Sequence, residues 1–188
     1  MKLIIASNNK HKIYEIKKIL AEKFEQILSI REAGIEHETV EDGKTFMENA
    51  VKKAREIAQI SGFAALADDS GISAHALDGA PGIYSARFSG GTDEDNNNLL
   101  LEKLKDKEDK GAHYTCAMAL VYPDGKIITS EGYMYGSITE QRRGERGFGY
   151  DPIFVPDGEN RTVAEMTDEE KNAISHRGKA LMALLEKL

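Results

Sequence analysis

Cysteine is almost absent from this chain: Cys116 is the single one among 188 residues. That excludes an intrachain disulfide and a cysteine-rich zinc site, and it fits a reducing compartment. Histidine is also scarce. The five histidines include no HxxxH or HExxH spacing, which argues against a zinc hydrolase. Four prolines and seventeen glycines are too few for a collagenous or low-complexity chain. No apolar run approaches the ~20 residues that a membrane span needs. The first run, Leu3 to Ala6, is too short for the core of a signal peptide. The expected setting is the cytoplasm, with no membrane partner. Positive charge is in deficit, with 25 Lys and Arg against 32 Asp and Glu and a net charge of −7. The general field therefore opposes binding to a nucleic acid polymer. A small anion would need a local basic site.

What is present is ordinary for a globule, with 40% hydrophobic and 30% charged residues. The length fits one domain, or one domain with two lobes. Leu3 to Ala6 reads as a strand buried on both faces. Ser7-Asn8-Asn9 supplies N-cap residues, and Ile13, Ile16, Leu20 and Phe24 follow at helical spacing. A second helix is predicted from the capping box at Thr45 to Ser61, stopped by Gly62. Phe63 to Ala67 reads as a buried strand that breaks into a loop at Asp68-Asp69-Ser70-Gly71. Asp93 to Leu104 reads as a helix. His113 to Tyr122 and Lys126 to Tyr135 read as a hairpin turning at Pro123-Asp124-Gly125. A Gly- and Arg-rich loop covers Arg142 to Asp151, then a strand Ile153 to Val155 and a closing helix with Ala180, Leu181, Leu184, Leu185 and Leu188. Alternating strands and helices plus a hairpin predict an α/β fold with a mixed sheet.

Ligands of open α/β sheets bind beyond the carboxyl ends of strands, so the polar stretches after strands carry the chemistry. Ser7 to Lys12 offers a hydroxyl, amides and cations at a helix start, which suits a phosphate chain. Alone, it reads more readily as an ordinary capped helix with solvated lysines. Asp68-Asp69 offers adjacent carboxylates, either magnesium ligands or an Asx turn. Glu41-Asp42, just before the second helix, offers dipole decoration or a further metal ligand. Gly147-Phe148-Gly149 allows a close backbone approach to a flat ligand with a ring to stack on it, or a turn with core aromatics. Lys171, Ser175 and Arg177 lie near helical spacing beside His176, which is equally a solvated helix face. Cys116 has no neighbour that would activate a thiolate and reads as core.

Six segments occur in order: Ser7-x-Asn9-x-x-Lys12, Phe46-Met47-Glu48-Asn49-Ala50, Ala67-Asp68-Asp69-Ser70-Gly71, Gly79 to Phe88, Gly147 to Pro152, and Ser175-His176-Arg177. Together they resemble the non-canonical purine nucleoside triphosphate pyrophosphatases, the inosine/xanthosine triphosphatase family. The resemblance covers essentially the whole chain, 1–188. It implies a single domain with an elongated mixed sheet flanked by helices and two lobes around a central substrate cleft. It also implies a homodimer, Mg²⁺, and cleavage of inosine, deoxyinosine and xanthosine triphosphates to monophosphate and pyrophosphate.

By matched position, Ser7, Asn8, Asn9, Lys10, His11 and Lys12 would hold the triphosphate, with Lys53 as a further ligand. Glu41 and Asp69 resemble the metal-binding acids, and Asp69 the general base. Ser70 would touch substrate. Phe148, Gly149, Tyr150, Asp151, Lys171, His176 and Arg177 would enclose the nucleotide and its base. His176 and Arg177 can donate to the O6 of hypoxanthine or xanthine, where adenine presents a donor of its own. Two other functions share these motifs: a phosphohydrolase cutting the β–γ bond, and a nucleotide-sensing module without turnover. The product separates the first, and turnover at catalytic enzyme concentration the second.

Overall fold

The computed structural model describes residues 2–188. Its elements run β1 (Lys2–Ile5), α1 (Lys10–Leu20), β2 (Gln26–Ser29), α2 (Phe46–Ser61), β3 (Ala64–Ala74), α3 (Asp93–Leu104), β4 (Gly111–Val121), β5 (Ile127–Ile138), β6 (Phe154–Pro156), α4 (Asp168–Ile174) and α5 (His176–Leu185), with short 3-10 turns between them. The six strands form one sheet in the order β2-β1-β3-β4-β5-β6. β1 pairs parallel to both β2 and β3, and β5 pairs antiparallel to β6, so the sheet is mixed and the fold is α/β.

The chain separates into two compact units. The first takes Met1–Asp69, Cys116–Gly132 and Arg177–Leu188; the second takes Ser70–Thr115 and Tyr133–His176. In the first, the two faces of the strands carry different cores, as the period of two demands. Leu3, Ile5, Leu66, Cys116 and Met118 pack with Ile16 and Leu20 of α1 and Ala180, Leu181 and Leu184 of α5. Ile4, Ala65, Ala67, Ala117 and Ala119 pack with Ala50, Ala54, Ile57 and Ala58 of α2. Alanine on both partners lets α2 sit close to its strands, while the larger side chains fill the α1 and α5 side. The second unit is built on Ile72, Tyr114, Met134, Phe154 and Val163 with Leu100 and Leu104 of α3.

Three expectations are corrected. The strand expected to break at Asp68 continues through the polar stretch to Ala74. It can do so because these carboxylates have partners in the interior, described below, and so do not need a turn to reach water. Gln26–Ser29 is a strand that its pattern hid: it is four residues long, it begins and ends on a polar residue, and it lies at the edge of the sheet. Lys171, Ser175 and Arg177, read at near-helical spacing, do not share one helix, because Ser175 (ψ 151) leaves the helical region between α4 and α5.

Candidate active site

The first unit gathers charge around the middle of β3. Within a strand, Asp68 and Asp69 must point to opposite faces. Asp68 follows Leu66 to the α1 and α5 side; Asp69 follows Ala65 and Ala67 to the α2 side. The pair of adjacent carboxylates read from the sequence is therefore split between two environments, and does not present both acids to one ion.

Asp68 is 1% exposed. Its Oδ2 lies 3.0 Å from the Lys12 Nζ and accepts from the Arg177 Nη2 at 3.2 Å. Arg177, also 1% exposed, donates from Nη1 to the Glu15 Oε2 at 2.5 Å. Two carboxylates and two cations thus offset one another in the interior. Burial would push the Asp68 carboxyl up, yet Lys12, Arg177 and Lys53 outweigh it and hold the group well below the usual carboxylate range. The same burial, aided by Asp68, pushes the neighbouring Cys116 thiol up to about 12, as an inert core residue requires.

Asp69 has the contrary balance. It is 6% exposed, and its Oδ2 accepts from the Asn49 Nδ2 at 2.9 Å. Asn49 is fixed in turn, because its Oδ1 accepts from the Gly43 N–H at 2.8 Å. Burial raises the Asp69 pKa; Lys53, Asn49 and Lys12 lower it, Glu41 raises it, and the net direction is up. The Lys53 Nζ lies 3.0 Å from the Glu41 Oε1. Burial would lower the Lys53 pKa, but the carboxylates of Asp68, Asp69 and Glu41 raise it. Two acids and one ammonium therefore meet at the start of α2, whose N-cap is the Thr45 hydroxyl accepting from the Glu48 N–H. Among the described residues, no group of three or more His, Cys, Asp or Glu is arranged to hold a metal ion. Glu41 and Asp69 remain a pair of oxygen donors, and that number fits Mg²⁺, which commonly takes one or two carboxylates and fills its shell with water and substrate phosphate.

The phosphate loop after β1 is more occupied than the sequence suggested. Asn9 is the N-cap of α1, and its Oδ1 accepts from the N–H groups of His11 and Lys12. Ser7 Oγ accepts from the Asn9 N–H. The side chains of Asn8, Asn9, Lys10 and His11 are exposed, while Lys12 turns inward to Asp68.

In the second unit, Asp151 is the hub. Its Oδ2 accepts from the Lys171 Nζ at 2.8 Å and from the Phe148 N–H at 3.0 Å, and its Oδ1 accepts from the Tyr114 hydroxyl at 3.3 Å. The Lys171 Nζ also sits 4.8 Å from the centre of the Phe148 ring, a cation–π contact. His176 stacks on Tyr114 with centroids 4.5 Å apart and planes 10° apart. Tyr150 donates from its hydroxyl to the Ser85 carbonyl. Ser70 is partly buried in β3.

The structure thus brings Lys12, Glu41, Lys53 and Asp69 together in the first unit, and Phe148, Gly149, Tyr150, Asp151, Lys171 and His176 in the second. Arg177 belongs by geometry to the Asp68 cluster. Four supporting residues escaped the sequence reading: Glu15, Asn49, Tyr114 and Asn97, whose Nδ2 donates to the Gly149 carbonyl. Asn49 alone left a trace: it stands in the segment Phe46 to Ala50 that carries the resemblance, where no role was assigned to it.

The Ham1 family model matches residues 3–187. The chain is 50% identical to the dITP/XTP pyrophosphatase of Clostridium perfringens, over 100% of this chain and 97% of that one. It is equally 50% identical to the protein of the same name from Leuconostoc mesenteroides, over 100% and 96%. A HAM1 protein from Coxiella burnetii superposes with a TM-score of 0.90 at 38% identity, covering 100% of both chains. A nucleoside-triphosphatase / dITP/XTP pyrophosphatase from Mycobacterium abscessus gives a TM-score of 0.79 at 46% identity, over 98% of this chain and 99% of the other. Matched over its whole length in sequence and in fold, the chain belongs to the Ham1 family.

Proposed function

We propose that this protein hydrolyses inosine, deoxyinosine and xanthosine triphosphates to the monophosphate and pyrophosphate, removing deaminated purines from the nucleotide pool. The observation that carries this reading is Asp69: a buried carboxylate held by Asn49, beside Lys53 and Glu41, in a chain similar over its full length to proteins named dITP/XTP pyrophosphatases.

A triphosphate brings about four negative charges to a protein that is itself acidic, so its cations must be concentrated locally. In this account Lys12, Lys53 and the α1 entry, Ser7 to His11, hold the phosphates. Lys53 is suited to this because its carboxylate neighbours keep it charged despite burial. Glu41 and Asp69 would hold Mg²⁺, which offsets charge developing on the phosphate oxygens and leaving group. Asp69 takes the proton from a water that attacks the α-phosphorus, and the α–β bridging oxygen leaves with pyrophosphate. Asn49 fixes the carboxylate for that transfer. A carboxylate with a raised pKa is a stronger base than an ordinary aspartate. No covalent intermediate is needed.

The base end falls to the second unit. Phe148 stacks on the purine, Ser70 touches substrate, and Lys171, His176 and the Gly149–Asp151 backbone and side chains frame the base edge. His176 supplies a donor toward O6. Arg177 follows it in the chain and belongs to the Asp68 cluster. A site built on such paired groups discriminates strongly, because the wrong base leaves buried groups unpaired. No described helix is long and apolar enough to cross a membrane, and the reading places the enzyme in the cytoplasm. The family resemblance also carries a homodimer. Sedimentation showing only a 20.8 kDa species at micromolar concentration would overturn that part. The test of the activity is a panel of purine nucleoside triphosphates with Mg²⁺, scored for pyrophosphate.

A further inference from the structure

The loop that this reading places against the base has its shape imposed from α3. Gly149 sits at a φ of 61, a left-handed conformation natural to glycine. Both polar groups of that residue are held by one turn of helix. Its N–H donates to the Asp93 Oδ2 at 2.8 Å, and its carbonyl accepts from the Asn97 Nδ2 at 3.0 Å. Asp93 and Asn97 are four residues apart, so they stand on one face of α3. The Asn97 Nδ2 also donates to the Asp93 carbonyl at 2.8 Å, which ties the two clamps together. The far end of the same loop is fixed to the same turn: the Arg142 Nη1 lies 2.9 Å from the Glu94 Oε1, and its Nη2 donates to the Glu94 carbonyl. The turn is itself rigid, because Thr92 and Asp95 form a reciprocal capping box. The apolar core of the unit lies along Leu100 and Leu104 of the same helix.

We infer that Asp93 and Asn97 are positioning residues for base selection: they set the Gly149 backbone, and through it the Phe148 ring and the Asp151 carboxylate, against the purine. The inference rests on the reading that Phe148–Asp151 hold the base. It adds two residues that make no contact with the substrate and control which base is accepted. Asp93 is exposed, so removing it spares the fold, whereas Asn97 is buried and is better changed to its isostere.

The chemistry of the clamp makes two substitutions of nearly equal shape give opposite results. Asp93→Asn keeps an acceptor oxygen for the Gly149 N–H. Asn97→Asp sets a carboxylate against two carbonyls and repels both. The experiment measures kcat and KM for inosine triphosphate, the inosine-over-guanosine ratio of kcat/KM, and the melting temperature. Parent, Asp93→Ala, Asp93→Asn, Asn97→Asp and Phe148→Ala are compared. Asp93→Ala and Asn97→Asp should each raise KM about tenfold and lower the base ratio by a similar factor, the scale of one lost hydrogen bond to a charged or buried group, with kcat nearly kept. Asp93→Asn should recover most of the KM and ratio lost in Asp93→Ala. If Phe148→Ala weakens binding while Asp93→Ala and Asn97→Asp leave KM and ratio as in the parent, the positioning role is refuted and the loop reading survives. If kcat, KM and melting temperature fall together and Asp93→Asn gives no recovery, the clamp is merely structural and the inference fails. If Phe148→Ala itself leaves KM and ratio unchanged, the loop does not hold the base, and both readings fall.

Discussion

At the scale of single residues, opposite electrostatic balances on adjacent positions assign the roles. Asp68 is outweighed by cations and held charged in the interior; Asp69 is dominated by burial and is the group proposed as the base. Asp69→Asn keeps the shape but loses the charge and the capacity to take a proton. Turnover should fall by about 10²–10⁴-fold or more, with the circular dichroism unchanged. A variant within about threefold of the parent would remove Asp69 from this role. Glu41→Gln should raise the Mg²⁺ concentration needed for half-maximal rate, and an unchanged titration would exclude it as a ligand. Arg177→Leu leaves Glu15 and Asp68 facing each other with one partner gone. Breaking a buried pair this way costs about 3–5 kcal/mol, read from urea unfolding; a loss under about 1 kcal/mol would show that the cluster is not the support described. Cys116, with its thiol pushed up to about 12, should resist alkylation at pH 8 in the native protein and react once unfolded. Rapid native labelling would contradict its burial.

At the scale of elements, the proposed reacting end is built from β3 and the start of α2. Asn49 reaches Asp69 only because Gly43 lets the chain ahead of α2 pass close: a Cβ at Gly43 would stand 2.6 Å from the Asn49 Oδ1 and 2.9 Å from the Glu48 Cβ. Gly43→Ala should therefore push Asn49 off Asp69 and lower kcat severalfold, with a smaller effect on KM. Normal kinetics in that variant would mean Asn49 does not orient the base.

Much of this was legible in the chain. The helix after Thr45 announces itself by a capping-box pattern, the one from Asp93 by Leu100, Leu101 and Leu104, and the packing face of α2 by its spacing. The polar residues within β3 did not read as strand, because local pattern carries no trace of Lys12 or Arg177, which neutralise Asp68 from far away in sequence. The same reason hid Asn97 and Tyr114. Their place in the structure depends on partners brought by the fold, while Asp69 was singled out because it lies in a segment that carries the family resemblance.

At the scale of the whole molecule, the proposal is that an acidic chain gathers cations for a small anion, and the likeness to proteins named dITP/XTP pyrophosphatases supports the α–β bond as the point of cleavage. The direct test is to incubate the protein with inosine triphosphate and Mg²⁺ and identify both products. The account predicts inosine monophosphate and pyrophosphate in equal amounts, abolished by Asp69→Asn. Inosine diphosphate with orthophosphate would contradict it.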